Sequence, residues 1–300
     1  MPKATLPNTP TCGAPDYILT RGETPLGYVE AKDIGESLDK IEKTDQMRRY
    51  LESLGNLILT DYVEFRWYVG GQHRLTARLG IGGDKKPLQA EPDGEAQVKA
   101  LLLAFFDAKV PTVSSPKELA GRMANLAKLV RDTINRALSD EDKGATLHQQ
   151  FEGFRKTLLH DLTPEAFADM YAQTIAYGLF AARCNLTLAA KPGQRFTRFL
   201  APHQLPKTNP FLRKTFGYIA GPDLDERVVW VVDDLAELLD RADMEAILKD
   251  FGHRTRQEDP VVHFYETFLG AYDPKMREAR GVYYTPEPGV SYIVRSWITC

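Results

Sequence analysis

Cysteine is scarce in this 300-residue chain, which contains only Cys12, Cys184 and Cys300. These three lie far apart and form no CxxC pair, so the sequence predicts neither a disulfide framework nor a cysteine-based zinc site. The six histidines form no HExxH motif and no cluster with cysteine either. We therefore expect a protein of a reducing compartment, the cytoplasm, without zinc.

Long apolar runs and an excess of basic charge are missing as well. No stretch approaches the roughly 18 apolar residues that a membrane-spanning helix needs, and the N-terminus is rich in proline and threonine where a secretory signal would be apolar. We expect no membrane contact. The formal net charge is −3, and Lys plus Arg balance Asp plus Glu over residues 1–90. Any binding of nucleic acid must therefore come from local patches.

The chain does contain a candidate hairpin near its beginning. Two short apolar runs, Tyr17–Thr20 and Leu26–Ala31, flank a turn and predict a pair of strands. Because successive side chains of a strand point to opposite faces, Glu30 and Lys32 are expected on the same face. Pairing of the two strands would bring Asp16 near both, so the sequence predicts two carboxylates and an ammonium in one small site.

Such a site suits metal-assisted hydrolysis of a phosphodiester. Two nearby carboxylates repel each other, and Mg²⁺ relieves that repulsion by taking oxygen ligands from both. A metal-bound water becomes a nucleophile that a nearby lysine can orient. Asp16 and Glu30 are thus candidate metal ligands, and Lys32 is a candidate catalytic residue. The alternative is that Glu30 and Lys32 simply lie on a solvated strand face.

The rest of the sequence predicts a mixed α+β protein, with a small α/β core followed by a mostly helical domain. Residues 33–54 have helical spacing, and strands are predicted before and after a Gly70-Gly71 turn. Residues 80–94 have the composition of a linker. The predicted strands are 56–60, 63–69 and 74–79, with a further possible strand at 228–232; the predicted helices are 97–106, 116–138, 147–159, 164–182, 233–251 and 259–271; a loop is predicted over 191–210.

Several basic side chains of this first region are candidates for phosphate contacts. Basic residues that alternate with apolar ones usually form a solvated face, which is the alternative interpretation. The candidates are Arg48, Arg49, Arg66, His73, Arg74 and Arg78.

The hairpin residues also resemble a known family. Pro15-Asp16 followed by Glu30-Ala31-Lys32 is similar to the PD-(D/E)xK nuclease motif, and Gln46 with Tyr50 is similar to the QxxxY extension of RecB-like members. The resemblance covers roughly residues 13–80 and implies catalytic roles for Asp16, Glu30, Lys32, Gln46 and Tyr50. The helix that precedes the Asp in that family is not expected here. From spacing alone, Tyr50 would instead pack in the core and Gln46 would be exposed.

A second resemblance lies at the other end. Residues 281–295, GVYYTPEPGVSYIVR, are similar to the segment that opens the methyltransferase domain of adenine-N6 DNA methyltransferases in single-chain type II restriction-modification enzymes of the IIG or IIL kind. Residues 164–183 and 264–281 resemble the connector of those enzymes. The resemblance implies that Tyr283, Tyr284, Thr285 and Pro286 contribute to an S-adenosylmethionine pocket. From spacing alone, the two tyrosines would more readily fill a core.

Together the two resemblances imply three domains: a nuclease-like domain at 1–90, a helical connector at 91–280 and the start of a methyltransferase domain at 281–300. No NPPY-type tetrad, glycine-rich cofactor loop or Walker A motif occurs in the 300 residues, so S-adenosylmethionine would act only in a longer parent chain and no ATP-driven translocase is expected. We expect a fragment of such an enzyme.

The expected activity is Mg²⁺-dependent cleavage of double-stranded DNA, with methyltransferase and target-recognition domains of the parent chain as partners and a transient dimer on DNA. The alternatives are a fragment of an adenine-N6 DNA methyltransferase, or a connector that binds DNA or a partner domain without cutting.

Overall fold

The structure is a computed structural model. It describes eleven stretches of the chain: residues 3–5, 14–21, 24–83, 86–108, 112–139, 146–157, 159–188, 194–205, 210–222, 224–254 and 260–279.

A six-stranded sheet forms the N-terminal part of the fold. Its strands follow one another in chain order, and all neighbours are antiparallel except the third and fourth, which are parallel. The predicted hairpin is confirmed, with Tyr17 opposite Val29. The strands are β1 (Lys3–Thr5), β2 (Tyr17–Arg21), β3 (Thr24–Ala31), β4 (Asn56–Thr60), β5 (Glu64–Val69) and β6 (Gln72–Arg78).

The parallel pair β3 and β4 is joined by a helical crossover. One helix was expected over residues 33–54, but two form, α1 (Leu38–Ile41) and α2 (Asp45–Ser53). The first ends at Ile41, and Thr44 begins the second, because its side-chain hydroxyl accepts a hydrogen bond from the backbone N–H of Met47, as an N-cap residue does. The break sets the direction of α2, whose buried side chains Met47 and Tyr50 face the core.

The prediction of a linker over residues 80–94 is wrong. Two strands, β7 (Gly80–Gly83) and β8 (Lys86–Ala90), pair as a small ribbon, and α3 (Gly94–Phe106) begins directly after it. Glycine permits this pairing because Gly82 has a φ of 115°, and a Cβ there would come within 2.4 Å of the Pro87 carbonyl oxygen. Composition alone could not distinguish a tight ribbon from a flexible linker.

Helix α3 packs on the sheet through its apolar face. Val98, Leu101 and Phe105 form one buried cluster with Ile58 and Ala77 of the strands. Asn56 adds polar contacts, since its side-chain amide donates hydrogen bonds to the carbonyls of Leu26, at 2.8 Å, and Phe105, at 3.0 Å. The sheet and α3 therefore share one core.

The described residues after α3 are mostly helical, as predicted. The expected strand at 228–232 is wrong, because those β-branched residues lie in a helix whose buried face includes Val228, Val231 and Val232, so tertiary burial overrides strand propensity. Two helices also begin inside the loop expected over 191–210. The helices are α4 (Pro116–Ser139), α5 (Thr146–Thr157), α6 (Pro164–Leu188), α7 (Ala201–Gln204), α8 (Pro210–Ala220), α9 (Glu226–Arg241), α10 (Met244–Arg254), α11 (Pro260–Tyr272) and α12 (Pro274–Ala279).

The prediction of a mixed α+β fold, with an N-terminal sheet followed by a mostly helical region, is confirmed. Two compact units divide the chain, one of residues 1–111, 129–172 and 223–234 and the other of residues 112–128, 173–222 and 235–300. The three domains expected from the sequence stay a prediction. None of the described helices is long and apolar enough to span a membrane.

The packing of α3 on the sheet has a measurable consequence at Gly27 of β3. A Cβ at this position would lie 2.4 Å from Phe105 Cζ and 2.8 Å from Asn56 Nδ2. We expect Gly27→Ala to lower the free energy of unfolding, measured by urea denaturation, by about 1–3 kcal/mol. Gly121→Ala is the control, since open space surrounds that position of α4, and it should be neutral or stabilise by up to about 1 kcal/mol. Equal stability of the two variants would mean that α3 does not pack here.

Candidate active site at the end of the first hairpin

The hairpin brings together the three charged residues that the sequence singled out. Asp16 immediately precedes β2, and its Oδ2 accepts a hydrogen bond of 2.8 Å from the backbone N–H of Ala31. Glu30 is next to last in β3, and its Oε1 accepts a hydrogen bond of 2.5 Å from Lys32 Nζ. Lys32 follows the strand, and its backbone N–H donates to the Thr60 carbonyl at 2.8 Å. Asp16, Glu30 and Lys32 therefore lie beside one another, as expected.

Glu30 is the least solvated member of this group. Only 3% of the residue is exposed, so it does not lie on a solvated strand face. Its Oε1 accepts from Lys32 and, at 3.4 Å, from Gln46 Nε2. Its Oε2 is buried and has no hydrogen-bond partner within the described stretches. A buried carboxylate oxygen without a partner is costly, so this atom is a strong candidate for a ligand contact.

Electrostatics distinguish the two partners of the Glu30–Lys32 pair. Burial raises the pKa of Glu30 above its ordinary value; the charge of Asp16 adds to that effect, and the hydrogen bond from Lys32 opposes it. Burial lowers the pKa of Lys32, but its hydrogen bond and charge attraction to Glu30 outweigh this, and the pKa rises above the ordinary value. Lys32 therefore stays protonated at neutral pH and is a donor of hydrogen bonds, not a base.

Helix α2 supplies the other two predicted residues. Gln46 Nε2 lies 3.0 Å from the Tyr50 hydroxyl, to which it donates, and thus links Tyr50 to Glu30. Tyr50 is 1% exposed, so it packs in the core and also hydrogen-bonds to Gln46. Burial, with a further contribution from the Glu30 charge, raises the pKa of Tyr50 well above its ordinary value. The tyrosine is therefore neutral and positions Gln46.

A cleft of about 310 Å³ opens beside this group. Asp16 and Lys32 line it, so a ligand in the cleft can reach both an exposed carboxylate and the ammonium. The sequence did not identify the other lining residues as part of the site. A signal was present for Tyr62, because an Asp directly before it, between two predicted strands, is typical of a turn that an Asp side chain stabilises. These other lining residues are Tyr17, Ala31, Asp33, Glu36 and Tyr62.

The donor set fits a hard divalent cation of the Mg²⁺ kind. No group of three or more His, Cys, Asp or Glu side chains that could hold a metal occurs in the part of the chain that the structure describes, which argues against a cage made of protein ligands alone. Mg²⁺ does not require one, because it keeps several waters and is usually bound by one or two carboxylates together with substrate phosphate. Two carboxylates are available for it: Asp16, which lines the cleft, and Glu30, which does not line it but keeps a buried Oε2 without a hydrogen-bond partner among the described residues.

The basic side chains of the sheet are less available than the sequence suggested. Arg66 is largely buried and forms ion pairs with Asp39, Glu42 and Glu64, at 2.7, 3.2 and 2.5 Å. Arg78 also pairs with Glu64, at 2.7 Å. Two more candidates have carboxylate partners as well, Arg48 with Asp45 and Arg49 with Asp132, whereas His73 and Arg74 are exposed on β6. Phosphate contacts by this set stay a prediction.

The predicted cofactor residues Tyr283, Tyr284, Thr285 and Pro286 lie outside the described residues, as does the whole of 281–300. The structure therefore does not test the S-adenosylmethionine prediction.

Comparison with solved structures gives distant similarity. No protein-family model and no curated protein matches the chain. It is similar in structure to a chain of the cryo-EM structure of a DrdV–DNA complex, with a TM-score of 0.29 and 19% sequence identity. The match covers 91% of this chain and 24% of the other, so this chain spans about a quarter of the length of the chain it matches. A similarity this distant identifies neither a family nor an activity.

Proposed function

We propose that this chain is the Mg²⁺-dependent DNA endonuclease portion of a bifunctional restriction-modification enzyme. The observation that carries the proposal is the buried Glu30 carboxylate, which keeps one oxygen without a partner among the described residues while Lys32 and Asp16 lie beside it. Lys32 and Gln46 both contact Oε1, so the cost of burying the charge is left uncompensated at Oε2, where a ligand would offset it.

Each residue then has a distinct task. Asp16 and Glu30 hold the metal. When bound, Mg²⁺ supplies a Lewis acid that polarises the phosphoryl group and lowers the pKa of a water. Lys32 stays charged and donates a hydrogen bond that orients the attacking water and offsets the charge developing on phosphate. Gln46 and Tyr50 hold the Glu30 carboxylate in place from α2.

Asp16→Asn tests the role of the exposed ligand. The asparagine side chain can still accept the hydrogen bond from Ala31 but lacks the negative charge that a metal needs. We expect Mg²⁺-dependent nicking of supercoiled plasmid to fall by about 100-fold or more, since a lost metal ligand removes several kcal/mol of stabilisation. Asp45→Asn, at an 85% exposed side chain in the first turn of α2, is the matched control and should nick like the wild type.

Two outcomes of this assay would contradict the proposal. Nicking that persists in EDTA excludes a role for the metal. No nicking by the wild type under any Mg²⁺ concentration, with DNA binding retained, identifies the chain as a connector that binds DNA without cutting.

The methylation partner of the proposed enzyme lies in the parent chain. We infer that S-adenosylmethionine and the target-recognition domain act there, with Tyr283, Tyr284, Thr285 and Pro286 at the cofactor. The downstream reading frame tests this directly: it should encode a glycine-rich cofactor loop and an NPPY-like tetrad, and a frame without them would contradict methylation by the parent.

A further inference from the structure

Two tyrosines that the proposed chemistry does not use line the cleft. The hydroxyl of Tyr17 lies 3.2 Å from the hydroxyl of Tyr62, and both residues line the cleft with Asp16 and Lys32. Tyr17 opens β2 directly after Asp16, whereas Tyr62 belongs to the turn between β4 and β5. Two separate segments of the sheet thus place their phenols together beside the candidate metal ligands.

The fold does not need the phenol of Tyr62. Its backbone has a φ of 67°, in the left-handed region that an aromatic residue rarely adopts, and 49% of the residue is exposed. Hydrogen bonds of other groups fix the turn: Thr60 Oγ1 accepts from the Tyr62 N–H at 2.9 Å, and Asp61 Oδ1 accepts from the N–H groups of Val63 and Glu64 at 3.0 and 2.7 Å. Glycine or asparagine would suit this backbone better, so the tyrosine side chain calls for a functional explanation.

The hydroxyl pair is a neutral hydrogen-bond donor in a cleft whose charged lining, apart from Lys32, consists of acceptors. Two phenols carry two O–H protons, of which one is used between them and the other is left to donate outward. The hydrogen bond with Tyr17 raises the pKa of Tyr62, so the proton stays in place at neutral pH. Asp16, Asp33 and Glu36 also line the cleft, and ionised carboxylates only accept. An anionic oxygen that enters with a metal ion would meet a neutral donor here.

We propose that the Tyr17–Tyr62 hydroxyl pair donates a hydrogen bond to a non-bridging phosphate oxygen of the DNA strand in the cleft, next to the phosphate that is cleaved. This inference rests on the proposed endonuclease function. Lys32 is held by Glu30 at 2.5 Å, so the tyrosines fix the strand while Lys32 serves the reacting phosphate. They are positioning residues, and their loss affects binding of DNA more than the chemical step.

Tyr62→Phe and Tyr17→Phe test the pair, because each keeps the ring and removes one hydroxyl. Two measurements are made with each variant: the kinetics of Mg²⁺-dependent plasmid nicking as plasmid concentration varies, and the anisotropy of a fluorescein-labelled DNA duplex bound in EDTA. We expect KM and Kd to rise by about 3- to 10-fold, the value of one hydrogen bond, with kcat changed by less than about twofold. Tyr218→Phe, at a tyrosine of matching exposure, 48%, should change neither constant.

The remaining outcomes each decide the inference. Unchanged KM and Kd in both phenylalanine variants overturn it and leave the endonuclease proposal intact. If Tyr62→Phe binds like the wild type and Tyr62→Gly binds weakly, the ring stacks on a base and the hydroxyl contact is overturned. If the wild type does not nick plasmid, the endonuclease proposal fails, and the anisotropy arm still decides the phosphate contact.

Discussion

Glu30→Gln is expected to abolish DNA cleavage and, in the absence of Mg²⁺, to raise the free energy of unfolding at neutral pH. Cleavage should fall by about 1,000-fold or more, because the buried carboxylate that we propose as a metal ligand loses its charge. Stability should rise because the folded-state pKa of Glu30 lies above its unfolded value. The associated stability is present at low pH and is lost as the pH rises through the folded-state pKa; once ionised, the carboxylate destabilises the fold, and neutral glutamine removes that cost.

Plasmid nicking and urea denaturation at pH 7 in EDTA check both parts of this expectation. Glu278→Gln, at an exposed glutamate of α12, is the matched control and should leave both readouts unchanged. A Glu30→Gln protein that is less stable than the wild type at neutral pH, even without metal, would show that Glu30 is a structural residue whose ion pair with Lys32 stabilises the fold.

Lys32→Ala is expected to reduce cleavage by about 100-fold or more while leaving Mg²⁺ binding in place, since in the proposed mechanism the lysine orients the water and offsets charge on the phosphate. Without metal the variant should also be less stable, by about 1–3 kcal/mol, because Glu30 loses the ammonium that is hydrogen-bonded to its Oε1. Saturating Mg²⁺ should restore part of that stability, as the cation takes over the role of the missing positive charge.

Thermal unfolding with and without Mg²⁺, together with plasmid nicking, tests this pattern. Lys43→Ala, at an exposed lysine after α1, controls for the loss of a surface charge. If Lys32→Ala still cuts DNA at the wild-type rate, the lysine has no role in the mechanism. If Mg²⁺ no longer stabilises the variant, Lys32 is instead needed to keep the metal site intact.

The local geometry of the site could be predicted from the sequence, whereas its burial could not. Alternation along a strand placed Glu30 and Lys32 on one face, and the hairpin brought Asp16 beside them, as the structure has it. Whether that face meets water depends on how α2, which begins at its N-cap Thr44, runs across it. The alternation of residues along a strand carries no information about the direction of a neighbouring helix. The helix brings Gln46 onto Glu30 and leaves the other carboxylate oxygen enclosed.

The linker expected at 80–94 and the strand expected at 228–232 were wrong for a common reason. The glycines of 80–94 allow both a flexible linker and a tight ribbon, and the pairing of Gly80 with Ala90 is decided by neighbouring structure. The valines of 228–232 favour a strand when isolated, but a helix buries them better in this fold. The cleft residue Tyr62 was missed because a single aromatic residue in a turn has no periodic pattern by which to identify it.

Calorimetric titration of Mg²⁺ into the wild-type chain and into Glu30→Gln, at a series of pH values, tests the central claim most directly. We predict that the wild type binds Mg²⁺ and that its affinity falls as the pH is lowered through the raised pKa of Glu30, at a higher pH than for an exposed carboxylate site. Glu30→Gln should show no such binding. Equal Mg²⁺ affinity of the two proteins at every pH would contradict the assignment of Glu30 as a metal ligand and, with it, the proposed nuclease site.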